Sequence, residues 1–172
     1  MDKLILVTEN DIPLGTAGKM EAHEKALLHR AFSIFIFNSQ GEMLLQQRAA
    51  DKYHSAGLWT NACCSHPYAG QETIHAAEKR LHEEMGFTTP LTPAFEFMYK
   101  AVFDNGLTEH EYDHVYIGVY DGEILPNPAE VQDYCYKNIA AIKSDIQSRP
   151  ELYTAWFKIA LPRVENYLSQ KS

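Results

Sequence analysis

Residues 31–37 read Ala-Phe-Ser-Ile-Phe-Ile-Phe, an almost unbroken apolar run rich in aromatic and Ile side chains. Such a run predicts a buried strand. Ser39-Gln40-Gly41 then turns the chain into 43–47, which predicts a hairpin. Residues 4–8 predict an earlier strand and Asn10-Asp11-Ile12-Pro13 a turn. The stretch 19–29 is polar, with an apolar end at Ala26-Leu27-Leu28. The clearest helix is 72–85, where Ala76, Ala77, Leu81 and Met85 recur at helical spacing and Gly86 stands where a left-handed cap would close it. Residues 95–102 and 115–120 predict strands, Asn127-Pro128 a break, and 139–147 and 153–168 closing helices, with Pro162 kinking or interrupting the last. Residues 48–67 lack periodicity and contain Gly57 and Pro67, which predicts a long loop or a set of short pieces. Long ordered loops in compact domains are usually functional. With no repeats or low-complexity segments, this mixture predicts an α/β or α+β sandwich, a mixed β-sheet flanked by helices.

Composition narrows the class. A chain of 172 residues with 45% hydrophobic and 12% aromatic content is expected to fold as one domain over 1–172. The net charge of −8 argues against a nucleic-acid binder built on phosphate contacts, although a local basic cluster could still receive a small anion. Three cysteines, two of them adjacent, make a poor disulfide framework and point to a reducing compartment. Leu4-Ile5-Leu6-Val7 is too short for a secretory signal, and no run approaches the ~20 apolar residues that span a bilayer. The expectation is a cytoplasmic protein, monomeric or weakly dimeric, with no nucleic-acid or membrane partner.

Five constellations carry candidate chemistry. Thr60-Asn61-Ala62-Cys63-Cys64-Ser65-His66-Pro67 sets a thiol two residues from an imidazole. His23 and His29, six apart, would not share a face of one helix and converge only if the chain bends between them. Glu109 and Glu111 would share a strand face, where two carboxylates need a cation between them or a shared proton; taken alone, the pair reads better as a solvated acidic loop. Glu83-Glu84 follows Lys79-Arg80 by one turn, which suits a divalent ion bridging to phosphate or, by default, an ordinary charged helix face. Lys19, Arg48, Lys52 and Arg80 could together clamp a diphosphate. Trp156 is by its type more often core than site.

These segments occur in the order Lys19 to His23, Leu28-His29-Arg30-Ala31-Phe32-Ser33, Leu45-Gln46-Gln47-Arg48, Trp59-Thr60-Asn61 through Cys64-Ser65-His66-Pro67, and Glu109-His110-Glu111-Tyr112-Asp113. In that order they closely resemble the type I isopentenyl-diphosphate Δ-isomerases, from about Lys19 to Lys158. The resemblance implies a Nudix fold and conversion of isopentenyl diphosphate to dimethylallyl diphosphate. It implies Cys64 and Glu111 as the proton-transfer residues, with Tyr99 hydrogen-bonded to Glu111, and favours Glu111 with Tyr99 as donor and Cys64 as acceptor. It implies His23, His29, His66, Glu109 and Glu111 around one divalent ion (Mn2+, Zn2+ or Mg2+). It also implies Mg2+ bridging Glu84 to the diphosphate, Lys19, Arg48, Lys52 and Arg80 on the phosphates, and Trp156 facing the cationic carbon. Cys63 and Cys135 are left as packing residues. The chain departs from the usual Nudix box: Lys79-Arg80 stands where Arg-Glu is expected, Gln71 where the earlier Glu is, and Ser65 where the Gly is. Loss of those acids weighs against a diphosphate hydrolase. A non-catalytic binding module is the other alternative, and it would not need Cys64, Tyr99, Glu111 and Trp156 together.

Overall fold

The computed structural model describes residues 3–52, 54–103 and 105–171. Its strands are β1 (Leu4–Val7), β2 (Pro13–Ala17), β3 (His29–Phe37), β4 (Met43–Arg48), β5 (Trp59–Asn61), β6 (Cys63–Ser65), β7 (Thr92–Val102), β8 (Thr108–Val119) and β9 (Val131–Lys137). Its helices are α1 (Lys19–Glu24), α2 (Thr73–Met85), α3 (Ile139–Ser148) and α4 (Ala155–Lys171), with a 3-10 turn at Pro150–Leu152.

Among the described residues, all nine strands join one mixed sheet organised around β3. β3 runs parallel to β8 and antiparallel to β6, and β7 lies antiparallel to β8. Strand alternation divides β3 between two cores. Phe32, Ile34 and Ile36 pack with Ala76, Ala77, Leu81 and Met85 of α2. Phe35 and Phe37 pack on the other face with Ile142 of α3 and Phe157, Leu161 and Val164 of α4. The apolar run of 31–37 is a strand buried on both faces because helices cover both.

Helix α2 forms as its spacing predicts, and Gly86 closes it at φ 77° with its N–H bonded to the His82 carbonyl. A Cβ on Gly86 would lie 2.3 Å from the Leu125 carbonyl oxygen, so both the backbone angle and the close approach require glycine.

Several expectations need correction. The turn at Ser39-Gln40-Gly41 forms, but β3 and β4 share only the pair Phe37↔Met43. Beyond it β4 pairs with β5 and β9, so the hairpin exists only at its closed end. β8 begins at Thr108, well before the apolar stretch from 115, and Glu109 and Glu111 are buried strand residues rather than a solvated loop. β9 was not anticipated: its sequence Val-Gln-Asp-Tyr-Cys-Tyr-Lys has no apolar alternation, and backbone pairing to β4 makes it a strand. α4 runs uninterrupted through Pro162. Phe157, Ala160, Leu161 and Val164 pack on both sides of that position, which outweighs one lost backbone hydrogen bond.

Candidate active site

Register brings the site residues to one level. His29 on β3 lies opposite Glu111 on β8, and Glu111 lies opposite Tyr99 on β7. Ser33 on β3 lies opposite Cys64 on β6. Glu109, Glu111 and Asp113 alternate onto the same buried face. Alternation also separates the adjacent cysteines: Cys63 belongs to the α2 core and Cys64 to the opposite side. Cys135 is half-buried against the α3/α4 core, consistent with packing.

The bend that His23 and His29 require is present. Helix α1 ends at Glu24, Ala26 takes a positive φ of 55°, and β3 starts at His29. The two rings come within 5.5 Å, and His66 lies 4.8 Å from His29. His23 Nδ1 meets the Lys19 carbonyl at 2.6 Å and His29 Nδ1 meets the Leu27 carbonyl at 2.9 Å. A carbonyl only accepts, so both Nδ1 atoms carry protons and each Nε2 presents a lone pair. Those lone pairs face carboxylates: His23 Nε2 contacts Glu109, and His29 Nε2 lies 3.4 Å from Glu111. His66 Nε2 is 2.7 Å from Glu111 Oε2. Lone pairs turned toward carboxylate oxygens repel unless a cation or a proton lies between them. The ligand atoms of His23, His29, His66 and Glu109 all fall within 4.8 Å of one another, the donor set of a divalent-metal site. Backbone carbonyls that fix the ring orientation are the outer partners such sites use.

Electrostatics agree. Burial, followed by the neighbouring charge of Glu111, raises the Glu109 carboxyl, while burial lowers His23 and brings His66 down to about 4. Burial works against an ionised Glu111, but hydrogen bonding from Glu109 and the His66 ring hold it below the ordinary carboxylate range. The Tyr99 hydroxyl donates to Glu111 Oε1 at 2.5 Å. Burial and then Glu111 raise the phenol, so it keeps its proton.

Cys64 Sγ lies 3.1 Å from Asn61 Oδ1 and 3.5 Å from Ser33 Oγ. Asn61 Nδ2 donates to the carbonyls of Ile34 and Cys63, which leaves its oxygen to accept from the thiol. Burial and then Asp113 push the thiol up to about 12. The pairing of His66 with Glu111 and of Cys64 with Asn61 and Ser33 separates imidazole from thiol.

Cys64, His66, Tyr99, Glu109 and Glu111 share one cavity of about 70 Å³ with Lys19, Arg48, Lys52, Arg80, Glu84 and Trp156. The structure therefore brings together every candidate site residue, with His23 and His29 behind the cavity wall as part of the His/Glu cluster. Trp156 is 4% exposed, so the core and site readings both apply; the Arg48 guanidinium lies 5.1 Å from its ring centre. Glu84 is buried at the end of α2, where it pairs with Arg80 and accepts from Gln46 Nε2 at 3.1 Å. The ordinary charged-face reading holds for Glu83, which lies 3.1 Å from Arg80 on the exposed side.

Sequence reasoning missed Gln46, His54, Asp113 and Glu130. His54 lines the cavity, stacks on Phe103 at 4.6 Å and is brought down to about 3 by burial and then Arg48. Asp113 accepts from Ser33 at 2.7 Å. Its position two residues beyond Glu111 was the available signal, by the same strand alternation. Nothing local marks Glu130.

A NUDIX domain model matches residues 27–157, and the chain belongs to that superfamily. The fold agrees: a Deinococcus radiodurans protein of known structure superposes with a TM-score of 0.79 at 16% identity, covering 94% of this chain and 98% of that one. A MutT protein from Methanosarcina mazei gives 0.66 at 16% identity, over 81% and 94%. Within the superfamily the chain belongs to the isopentenyl-diphosphate Delta-isomerases. The relative of that name from Pectobacterium atrosepticum is 50% identical over 97% of this chain and 93% of its own length. Isopentenyl-diphosphate Delta-isomerase 2 of Photorhabdus laumondii is 52% identical over 90% and 88%.

Proposed function

We propose that this protein interconverts isopentenyl diphosphate and dimethylallyl diphosphate. One proton is added at the terminal methylene and one is removed from C2, through a tertiary carbocation-like state. The observation that carries the reading is the Cys64 thiol, hydrogen-bonded to Asn61, and a hydrogen-bonded Tyr99–Glu111 pair in one cavity, beside four basic side chains. Two separate proton-transfer groups and an anion cradle are what an allylic proton shift on a diphosphate needs.

Tyr99 with Glu111 forms one proton-transfer group and Cys64 the other, on opposite faces of the substrate. The resemblance favours Glu111 with Tyr99 as donor and Cys64 as acceptor, whereas burial of the thiol and the His66 ring beside Glu111 favour a proton on Cys64 and an ionised Glu111. The reaction is reversible, so each gives a proton in one direction and takes one in the other. Lys19, Arg48, Lys52 and Arg80 bind the phosphates. The face of Trp156 stabilises the cationic carbon, an interaction of about 2 kcal/mol when desolvated. His23, His29, His66, Glu109 and Glu111 would hold one divalent ion, Mn2+, Zn2+ or Mg2+, and Glu84 would share Mg2+ with the diphosphate. The chemistry supplied when these ions are bound is neutralisation of carboxylate and phosphate charge. The surrounding side chains exclude water that would trap the cation. The fold acts as one domain and works in the cytoplasm as a monomer or weak homodimer, without a nucleic-acid or membrane partner. Among the described residues no helix is long and apolar enough to cross a membrane.

The test is incubation of the purified protein with Mg2+ and isopentenyl diphosphate. The acid-labile allylic isomer is the expected product, and Cys64→Ala should abolish it with metal content unchanged. Release of inorganic phosphate instead would establish a hydrolase, and normal turnover by Cys64→Ala would remove the thiol from the mechanism.

A further inference from the structure

Among the described residues, four Lys and Arg side chains line the cavity, and so do four carboxyls: Glu84, Glu109, Glu111 and Glu130. Glu109 and Glu111 belong to the His/Glu cluster and Glu84 to the end of α2. Glu130 belongs to neither, yet it contacts two of the four cradle cations directly. One of its oxygens pairs with Lys52 and the other lies 3.4 Å from Arg80. Both of those cations are assigned to the phosphates.

Its placement is built in by the backbone. The turn preceding β9 bonds the Glu130 N–H to the Asn127 carbonyl at 2.9 Å. The Asn127 N–H reaches back to the Glu84 carbonyl at 2.9 Å, and the Ala49 N–H donates to the Glu130 carbonyl at 3.0 Å. The same short segment is thus tied to the end of α2, which supplies Arg80 and Glu84, and to the end of β4, which supplies Arg48. Although burial works the other way, the hydrogen bond from Lys52 and the nearby charge of Arg80 hold the Glu130 carboxyl below its ordinary range.

We propose that Glu130 is the built-in counter-anion of the diphosphate cradle, holding Lys52 and Arg80 together before substrate arrives and making diphosphate capture depend on an accompanying divalent cation. A bare diphosphate must compete with Glu130 for two of the four cations and meets the charge of Glu84 beside Arg80. A diphosphate that arrives with a divalent cation brings the positive charge that both carboxylates lack once Lys52 and Arg80 turn to phosphate. Specificity of this kind comes from the cost imposed on the wrong ligand form. Gln at 130 would keep the side-chain shape and remove the competing charge.

This inference rests on the diphosphate reading above, and the experiment separates the two. Binding of inorganic diphosphate is measured by titration calorimetry with and without Mg2+, for wild type, Glu130→Gln and Glu130→Asp. Wild type should bind far more tightly with Mg2+. Glu130→Gln should bind metal-free diphosphate at least tenfold more tightly than wild type, so that the Mg2+ enhancement shrinks by the same factor. Glu130→Asp, which keeps the charge, should retain most of the enhancement and guards against a folding defect confined to the neutral variant. Equal or weaker metal-free binding by a folded Glu130→Gln, with the Mg2+ enhancement intact, overturns the role of Glu130 and leaves the isomerase reading standing. Failure of wild type to bind inorganic diphosphate even with Mg2+ overturns the diphosphate reading itself.

Discussion

Replacing Tyr99 by Phe removes one oxygen and little else. The ring stays packed beside Phe97, whose centre lies 5.8 Å away, while Glu111 Oε1 loses the donor now at 2.5 Å. Glu111 is 5% exposed, so water cannot readily replace that donor. A hydrogen bond to a charged group contributes about 1.5–3 kcal/mol. At about 1.4 kcal/mol per factor of ten, Tyr99→Phe should lower kcat by about 10- to 150-fold if the hydroxyl only steadies Glu111. A loss well beyond that range, toward about 10⁴, would instead mark Tyr99 as a participant in the proton transfer. KM should move less, because Lys19, Arg48, Lys52 and Arg80 are untouched. The assay is steady-state formation of the acid-labile isomer, alongside metal analysis of the same preparation. A folded, metal-replete Tyr99→Phe protein with kcat within twofold of wild type would refute the argument that this hydrogen bond acts in the reaction.

Three further outcomes follow from the same structure. Gly86→Ala places a Cβ against the Leu125 carbonyl at a φ of 77°, so it should cost about 2–4 kcal/mol and lower Tm by about 5–15 °C; an unchanged melt would disprove the requirement for glycine. His54 is brought from its usual value near 6.5 down to about 3, so between those limits the unfolded chain binds the extra proton and stability falls as pH drops; His54→Gln should flatten the acid limb by at most about 1.4 kcal/mol per pH unit, and parallel acid limbs for the two proteins would rule this out. Stripping divalent metal with EDTA should lower Tm, because the carboxylates and ring nitrogens of the His/Glu cluster then face one another without a cation, and re-adding Mn2+ or Zn2+ should restore it; no response to either step would count against metal binding there.

The sequence by itself determined what periodicity and local chemistry encode. The helical spacing of α2 and its Gly86 cap, the apolar core strand and the break at Asn127-Pro128 were all legible, because each depends on neighbours a few residues away. Candidate chemistry was legible as residue types at fixed spacing, and the resemblance supplied roles that spacing alone did not. The charged first half of β8, the polar strand β9 and the continuity of α4 through Pro162 were not legible. Their state is decided by strands and helices far along the chain, which override local preference. Only tertiary structure decided that Glu109 and Glu111 are buried, since a carboxylate pair tolerates burial only with the histidines and cavity cations contributed by other elements. It also separated Cys63 from Cys64, because the alternation of β6 acquires meaning only once two different cores cover the two faces of the sheet. Glu130 stands among Pro128, Ala129 and Val131 with no local sign of function. Backbone hydrogen bonds to Glu84 through Asn127, and to Ala49, place it between Lys52 and Arg80, and no one-dimensional pattern records that meeting.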